Sequence, residues 1–248
     1  MKQKTQVKRM VASTAETKYV SEALRSCNGV STLGPAFGGF SSAITGVGEI
    51  YAAIPRLRQG NDDFERVGNQ VRPVRCTIKL DIATKVWNDN SSRDRTVHVF
   101  LLQAVGVKSL DNYSAIPITQ LLVKGDGTNV GFDGTSFTAQ YPVNKTEFKV
   151  LRHKATRMVQ GFGQANNSSA PSAGATDGVI SPSHSYAHVS MNVKLPKKFM
   201  YDRASQLYPT NTAPFIVIGF TNNDNYTTTA PLDYVAVCGQ TQLWYKDE

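Results

Sequence analysis

Residues 54–82 read IPRLRQGNDDFERVGNQVRPVRCTIKLDI. The second half of this stretch alternates: Val74, Cys76, Ile78, Leu80 and Ile82 fall on one side, and Arg75, Thr77, Lys79 and Asp81 on the other. A period of two belongs to a strand with one buried face. The first half is a polar loop that holds Arg56, Arg58 and Arg66 and two glycines, Gly60 and Gly68. A basic loop therefore leads directly into what reads as the first strand of a β core.

Further strand candidates follow, separated by clusters of turn-forming residues. Residues 95–107 carry apolar side chains at both parities (Val97, Val99 and Leu101 against Phe100 and Leu102), the pattern of a strand covered on both faces. Residues 147–160 read as one bent strand or two short ones. Residues 187–195 alternate again, with Val189, Met191, Val193 and Leu195 in phase. Residues 214–220 and 232–245 are the last strands. Residues 110–123 read as a helical turn or an irregular connection, and the Gly, Asp and Asn residues of 124–129 are turn chemistry. A long loop of Gly, Asn, Ser and Ala spans 161–186 and a second surrounds 222–229. Strands joined by irregular loops without crossover helices point to an all-β, antiparallel sandwich. An eight-stranded jelly roll fits the count, with an open barrel or an immunoglobulin-like sandwich as the alternative.

The chain has 248 residues and a formal net charge of +8. Such a balance favours nucleic acid or another acidic partner. Lys2, Lys4, Lys8 and Arg9 place four positive charges and no acid in the first nine residues. Residues 27–48 carry no charge and are rich in Gly, Ser and Thr. Residues 1–53 are therefore expected to form a flexible basic and Gly-rich N-terminal arm, and residues 54–248 the folded domain. The basic start is not followed by an apolar stretch, and no segment is apolar enough for a membrane helix, so neither a secretory signal nor membrane insertion is expected. Cys27, Cys76 and Cys238 are too few and too far apart for a disulfide framework or a zinc site; Cys76 and Cys238 are expected as buried free thiols.

The chain offers little chemistry for catalysis. His98 sits in an apolar strand. His184 and His188 straddle a loop and a strand start, with no carboxylate at a ligand spacing. There is no phosphate-binding Gly-rich loop and no nucleophile elbow. Asp126 and Asp133 are placed as turn residues are. No metal, cofactor or catalytic group is expected, and a jelly-roll metalloenzyme fits the histidine spacing poorly. The cations make a better case. Arg56, Arg58, Arg66, Arg72 and Arg75, with Lys79, crowd into the loop and the strand that follows it. Guanidinium forks suit phosphate. The same forks can instead pair with Asp62, Asp63 and Glu65.

Several short motifs stand in a particular order: Ile54-Pro55 with Gln59-Gly60, Arg66-x-Gly68, the long basic alternating strand, Leu121-Leu122 with Gly125-Asp126-Gly127, Pro142-Val143-Asn144, and Phe148 with Val150-Leu151 and Lys154. An Asp/Asn-rich segment, 222–225, and a closing strand ending in an aromatic and Asp247 complete the set. This order resembles capsid proteins of circovirus-like, Rep-encoding circular single-stranded DNA viruses over residues 54–248. The resemblance implies a single jelly roll, about sixty copies of which build a closed icosahedral shell around the genome. It implies a non-enzymatic protein of the virion, assembled in the nucleus or cytoplasm of a host cell, whose partners are itself and single-stranded DNA. It places Arg56, Arg58, Arg66, Arg72 and Arg75 in the inward or inter-subunit region, and Lys2, Lys4, Lys8 and Arg9 in an internal arm. That family begins with a long arginine-dense arm, whereas this chain has four spread cations, three of them lysine. The burden of genome contact then falls on residues 56–79. A capsid protein of a small RNA virus, and a non-viral β-sandwich module binding nucleic acid or carbohydrate, are the alternatives.

Overall fold

The computed structural model describes residues 16–26, 49–84, 95–132, 140–158, 186–222 and 235–247. Among them are β1 (Lys18–Ser26), β2 (Glu49–Ala52), β3 (Gln70–Thr84), β4 (Arg95–Ala104), β5 (Leu122–Val123), β6 (Asn129–Val130), β7 (Phe148–Met158), β8 (Tyr186–Asn192), β9 (Phe199–Met200), β10 (Pro214–Asn222) and β11 (Val235–Asp247). The region expected to be helical or irregular contains two short 3-10 helices, Leu110–Ala115 and Ile118–Gln120. The protein is all-β and the strand pairs are antiparallel.

One sheet runs β1-β11-β3-β8, with β9 also paired to β3; the other runs β2-β10-β4-β7. The main core lies where their inner faces meet. Leu24, Ile78, Leu80, Val189 and Leu243 come from the first sheet, and Val97, Val99, Leu101, Ile216 and Ile218 from the second. A second core covers the other face of the β2-β10-β4-β7 sheet. There Phe100, Leu102, Phe215 and Val217 pack under Leu110, Ile116, Leu121 and Phe132. The connection from β4 to β7 supplies that cover, and this is why β4 and β10 are apolar at both parities.

Two expectations require correction. Residues 18–26 and 49–52 were assigned to a flexible arm, yet β1 pairs with β11 over nine residues and β2 pairs with β10. The sandwich therefore does not begin at residue 54, and β3 is not its first strand. The sequence KYVSEALRS disguises β1, because its apolar residues come in adjacent pairs and Glu, Ala, Leu and Arg favour helices. Pairing with a strand more than two hundred residues away overrides that local preference.

The second correction concerns β3. Cys76, Ile78, Leu80 and Ile82 are buried as expected, but Val74 is 55 % exposed. The register against β11 slips here: Trp244 faces Arg75 and Tyr245 faces Pro73, which leaves Val74 as the extra residue of a β-bulge. Beyond the bulge the parity reverses, so Val71 is buried and Arg72 is exposed. A regular strand would turn Arg72 inward. Burying an unpaired guanidinium costs several kcal/mol, whereas a bulge disrupts a ladder bond worth about 1 kcal/mol. The bulge is the cheaper solution.

Candidate nucleic-acid interface

The five arginines of residues 56–75 occupy three different environments. Arg66 is fully buried and does not face solvent at all. Its Nη1 donates to the Gly68 carbonyl (2.6 Å) and to Gln59 Oε1 (3.2 Å). Its Nη2 donates to the carbonyls of Arg203 (3.0 Å), Ala204 (3.2 Å) and Gln206 (3.3 Å). The guanidinium also lies over the Tyr201 ring, 4.1 Å from its centroid. Arg66 was expected to contact nucleic acid, and this position corrects that expectation. Its two Nη groups are consumed in tying the 59–69 loop to the 203–206 loop, and with the side chain fully buried no phosphate can reach it.

Arg56 and Arg58 lie beside the edge of β1. Arg56 Nε pairs with Glu22 Oε1, and its backbone N–H donates to Glu22 Oε2 at 3.0 Å. This is the competing use of the guanidinium fork, although the acid comes from β1 and not from the neighbouring loop. With Phe64, Glu65 and Val20, the two arginines line a shallow cleft of about 350 Å³. Lys18 closes the loop from the other side, pairing with Asp247 (3.0 Å) and donating to the Glu65 carbonyl (2.9 Å).

Arg72 and Arg75 are exposed on the outward face of the β1-β11-β3-β8 sheet. Three residues apart, they would point to opposite sides of a regular strand; the bulge at Val74 puts both on one side. Arg75 is in register with Trp244, and Trp244 with Tyr19, so the three form one row across three strands. The Tyr19 and Trp244 ring centroids are 5.1 Å apart, and the Arg75 guanidinium lies 5.5 Å from the Trp244 ring. Further rows along the face are polar or basic, with Thr77 bonded to Asn192 and with Lys79 opposite Gln240 and Ser190. Among the described strand residues, Asp81 is the carboxylate on this face. It stands six residues from Arg75, roughly 20 Å along the strand. His188 Nδ1 lies 2.7 Å from its Oδ1. That bond, followed by one from Tyr186, holds the Asp81 carboxyl below its usual range.

Sequence reasoning selected Arg72 and Arg75 but missed their aromatic neighbours. Tyr19 lies in the stretch assigned to the arm, and Trp244 is linked to Arg75 by a pairing that no local pattern encodes. Lys2, Lys4, Lys8 and Arg9, with His184, Cys27, Asp133 and the loops at 161–185 and 223–229, lie outside the described residues.

The remaining candidates resolve into structural roles. Cys76 is buried, and burial pushes its thiol up to about 12, whereas Cys238 is exposed, contrary to expectation. His98 is buried; its Nδ1 lies 3.2 Å from His153 Nε2, and the pair stacks beside Phe100. Asp126 accepts the Thr128 N–H at 2.8 Å in a turn where Gly127 takes φ +84°, a left-handed conformation that favours glycine. No group of three or more histidine, cysteine or acidic residues converges as a metal site among the described residues. No protein-family model matches the chain, and no curated protein matches it significantly.

Proposed function

We propose that this chain is a viral capsid protein of the circovirus-like, single-stranded DNA type, built as a jelly roll and working by self-assembly into a small closed shell around its genome. The observation that carries this reading is the strand order. The eight long or sheet-forming strands β1, β2, β3, β4, β7, β8, β10 and β11, counted one to eight, give sheets in the order 1-8-3-6 and 2-7-4-5. Every connection passes from one sheet to the other except that between the fourth and fifth. This winding supports a jelly roll, an architecture shared by viral capsids, lectins and cupins. Fold alone does not assign function. The ordered motifs of residues 54–248 favour the capsid, and the cationic, almost acid-free outward face of one sheet suits a polyanionic cargo. The role is structural, with many modest contacts multiplied by closure of the shell.

The cationic and aromatic face also suits a second reading, a β-sandwich module that binds nucleic acid without forming a shell. Particle formation separates the two. The purified chain, examined by electron microscopy and size exclusion at low and high salt, is expected to form uniform shells. A species that stays monomeric across these conditions would exclude the capsid reading. Sequencing the nucleic acid protected inside particles from cells then decides between DNA and RNA.

A further inference from the structure

The outward face of the β1-β11-β3-β8 sheet combines two kinds of group that serve different parts of one ligand. Tyr19 is 41 % exposed, and Trp244 beside it is partly exposed. Large aromatic rings on a solvent-facing sheet surface bury nothing of the protein's own core, since Leu243 and Tyr245 on either side of Trp244 point inward and are fully buried. Arg75 stands beside the Trp244 ring, Arg72 lies on the same face in register with Lys246, and Lys79 follows at strand spacing. Next to the arginines opens a cleft of about 580 Å³ lined by Pro73, Val74, Asn192, Leu195 and Pro196. The single carboxylate among the described strand residues of the face, Asp81, is at the far end and engaged with His188.

We infer that this face is a stacking platform for single-stranded DNA, on which unpaired bases lie against Tyr19 and Trp244 while Arg72, Arg75 and Lys79 contact the phosphates. The pairing of chemistries singles out an unpaired strand. A duplex offers its phosphates but keeps its bases stacked on each other, so the aromatic rings would find no partner. A carboxylate-rich protein would engage the arginines and leave the rings idle. Base–aromatic stacking tolerates any sequence, as a genome-binding surface requires. The bulge at Val74 is what brings the two halves together, because without it Arg72 would turn away from the rings. The inference rests on the capsid proposal in one respect: that reading makes the strand DNA and turns this face toward the interior of the shell.

Trp244 is itself the probe. In a full-length Trp87→Phe background it is the remaining tryptophan. A short oligothymidylate is expected to quench its fluorescence, and a duplex of equal length to do so far less. Trp244→Leu is expected to weaken oligothymidylate binding about tenfold, with Trp244→Phe recovering most of the loss. Arg75→Gln is expected to lower the slope of log affinity against log salt by about one. Equal quenching by single strand and duplex, or unchanged affinity in folded Trp244→Leu, would overturn the platform. The wild-type comparison of strand with duplex needs no variant to fold. With the oligonucleotide added to free subunits before assembly, micrographs of the same samples keep the two proposals apart: shells without quenching overturn the platform alone, and quenching without shells overturns the capsid alone.

Discussion

Arg66 shows how a charge can serve as a structural fastener. Its guanidinium donates to four backbone carbonyls that belong to two loops far apart in the chain. Removing it takes the charged donor from those part-buried carbonyls, at a cost of up to about 1–3 kcal/mol each. Arg66→Met is therefore expected to lower stability by at least about 3 kcal/mol, read as a fall in the urea midpoint. Arg66→Lys should recover little, because an ammonium cannot span carbonyls arranged for a fork. Affinity of the folded variants for single-stranded DNA should stay near wild type, since the side chain does not reach the surface. A second residue-scale effect sits at His98. Burial, followed by the neighbouring His153, pushes its imidazole down to about 4, and burial also lowers His153. Phe100, Phe132 and His153 are the rings packed around it, and none supplies a counter-charge. Protonation of the unfolded chain sets in near the ordinary value of about 6.5, while the folded state resists until about 4. The unfolded state then binds more protons, so the contribution is fully present above pH 6.5 and is lost as pH falls toward 4. The loss is about 3 kcal/mol for His98. Urea titrations across this window should show wild-type stability falling on acidification and a shallower fall in His98→Phe. Equal slopes would mean that the pair does not govern acid sensitivity.

At the scale of elements, sequence pattern and pairing contribute differently. β4, β7, β8, β10 and β11 were legible because each announces itself locally, by alternation or by a β-branched apolar run. The double cover of β4 was legible too, from apolar residues at both parities. β1 was not, since its local preferences point to a helix and its strand state comes from β11. The bulge in β3 was equally hidden: the alternation from Val74 to Ile82 is unbroken in sequence, and nothing local signals that Val74 leaves the core. The candidate face inherits both gaps, which is why its arginines were found and its aromatics were not. Gly239 in β11 illustrates a further constraint that pattern alone does not expose. A Cβ there would lie 2.3 Å from the Lys79 carbonyl oxygen and 2.9 Å from Leu80 Cδ2. The backbone of β3 cannot yield as a side-chain tip can, so β11 must move away from its partner. Gly239→Ala is expected to cost about 2–4 kcal/mol, with a matching fall in the urea midpoint. Gly106, which has open space around it, is the control, and Gly106→Ala should change stability by less than about 0.5 kcal/mol.

For the whole molecule the deciding quantity is charge. The chain carries +8, and although Arg56 and Lys18 are paired and Arg66 is buried, Arg72, Arg75 and Lys79 are exposed on one face. Besides the face of the first sheet, the outer strand β7 exposes Lys149, Arg152, Lys154 and Arg157. Lysine and arginine on an outer strand discourage uncontrolled strand addition by another copy. Many like-charged copies brought into one closed shell repel each other, and the first sheet's acids Glu22, Asp81 and Asp247, already engaged with Arg56, His188 and Lys18, do not offset the repulsion. Two agents can: mobile salt, which shortens the Debye length from about 10 Å at 0.1 M to about 3 Å at 1 M, and a polyanion placed where the cations are. The capsid proposal therefore predicts that the two substitute for each other. Nucleic-acid-free protein should assemble in high salt and resist assembly in low salt, and single-stranded DNA should restore assembly in low salt. Light scattering with electron microscopy across a salt series, with and without DNA, reads this directly. Shells that form from nucleic-acid-free protein as readily in low salt as in high would show that subunit contacts overwhelm the charge, and that the cations are not held in reserve for a cargo.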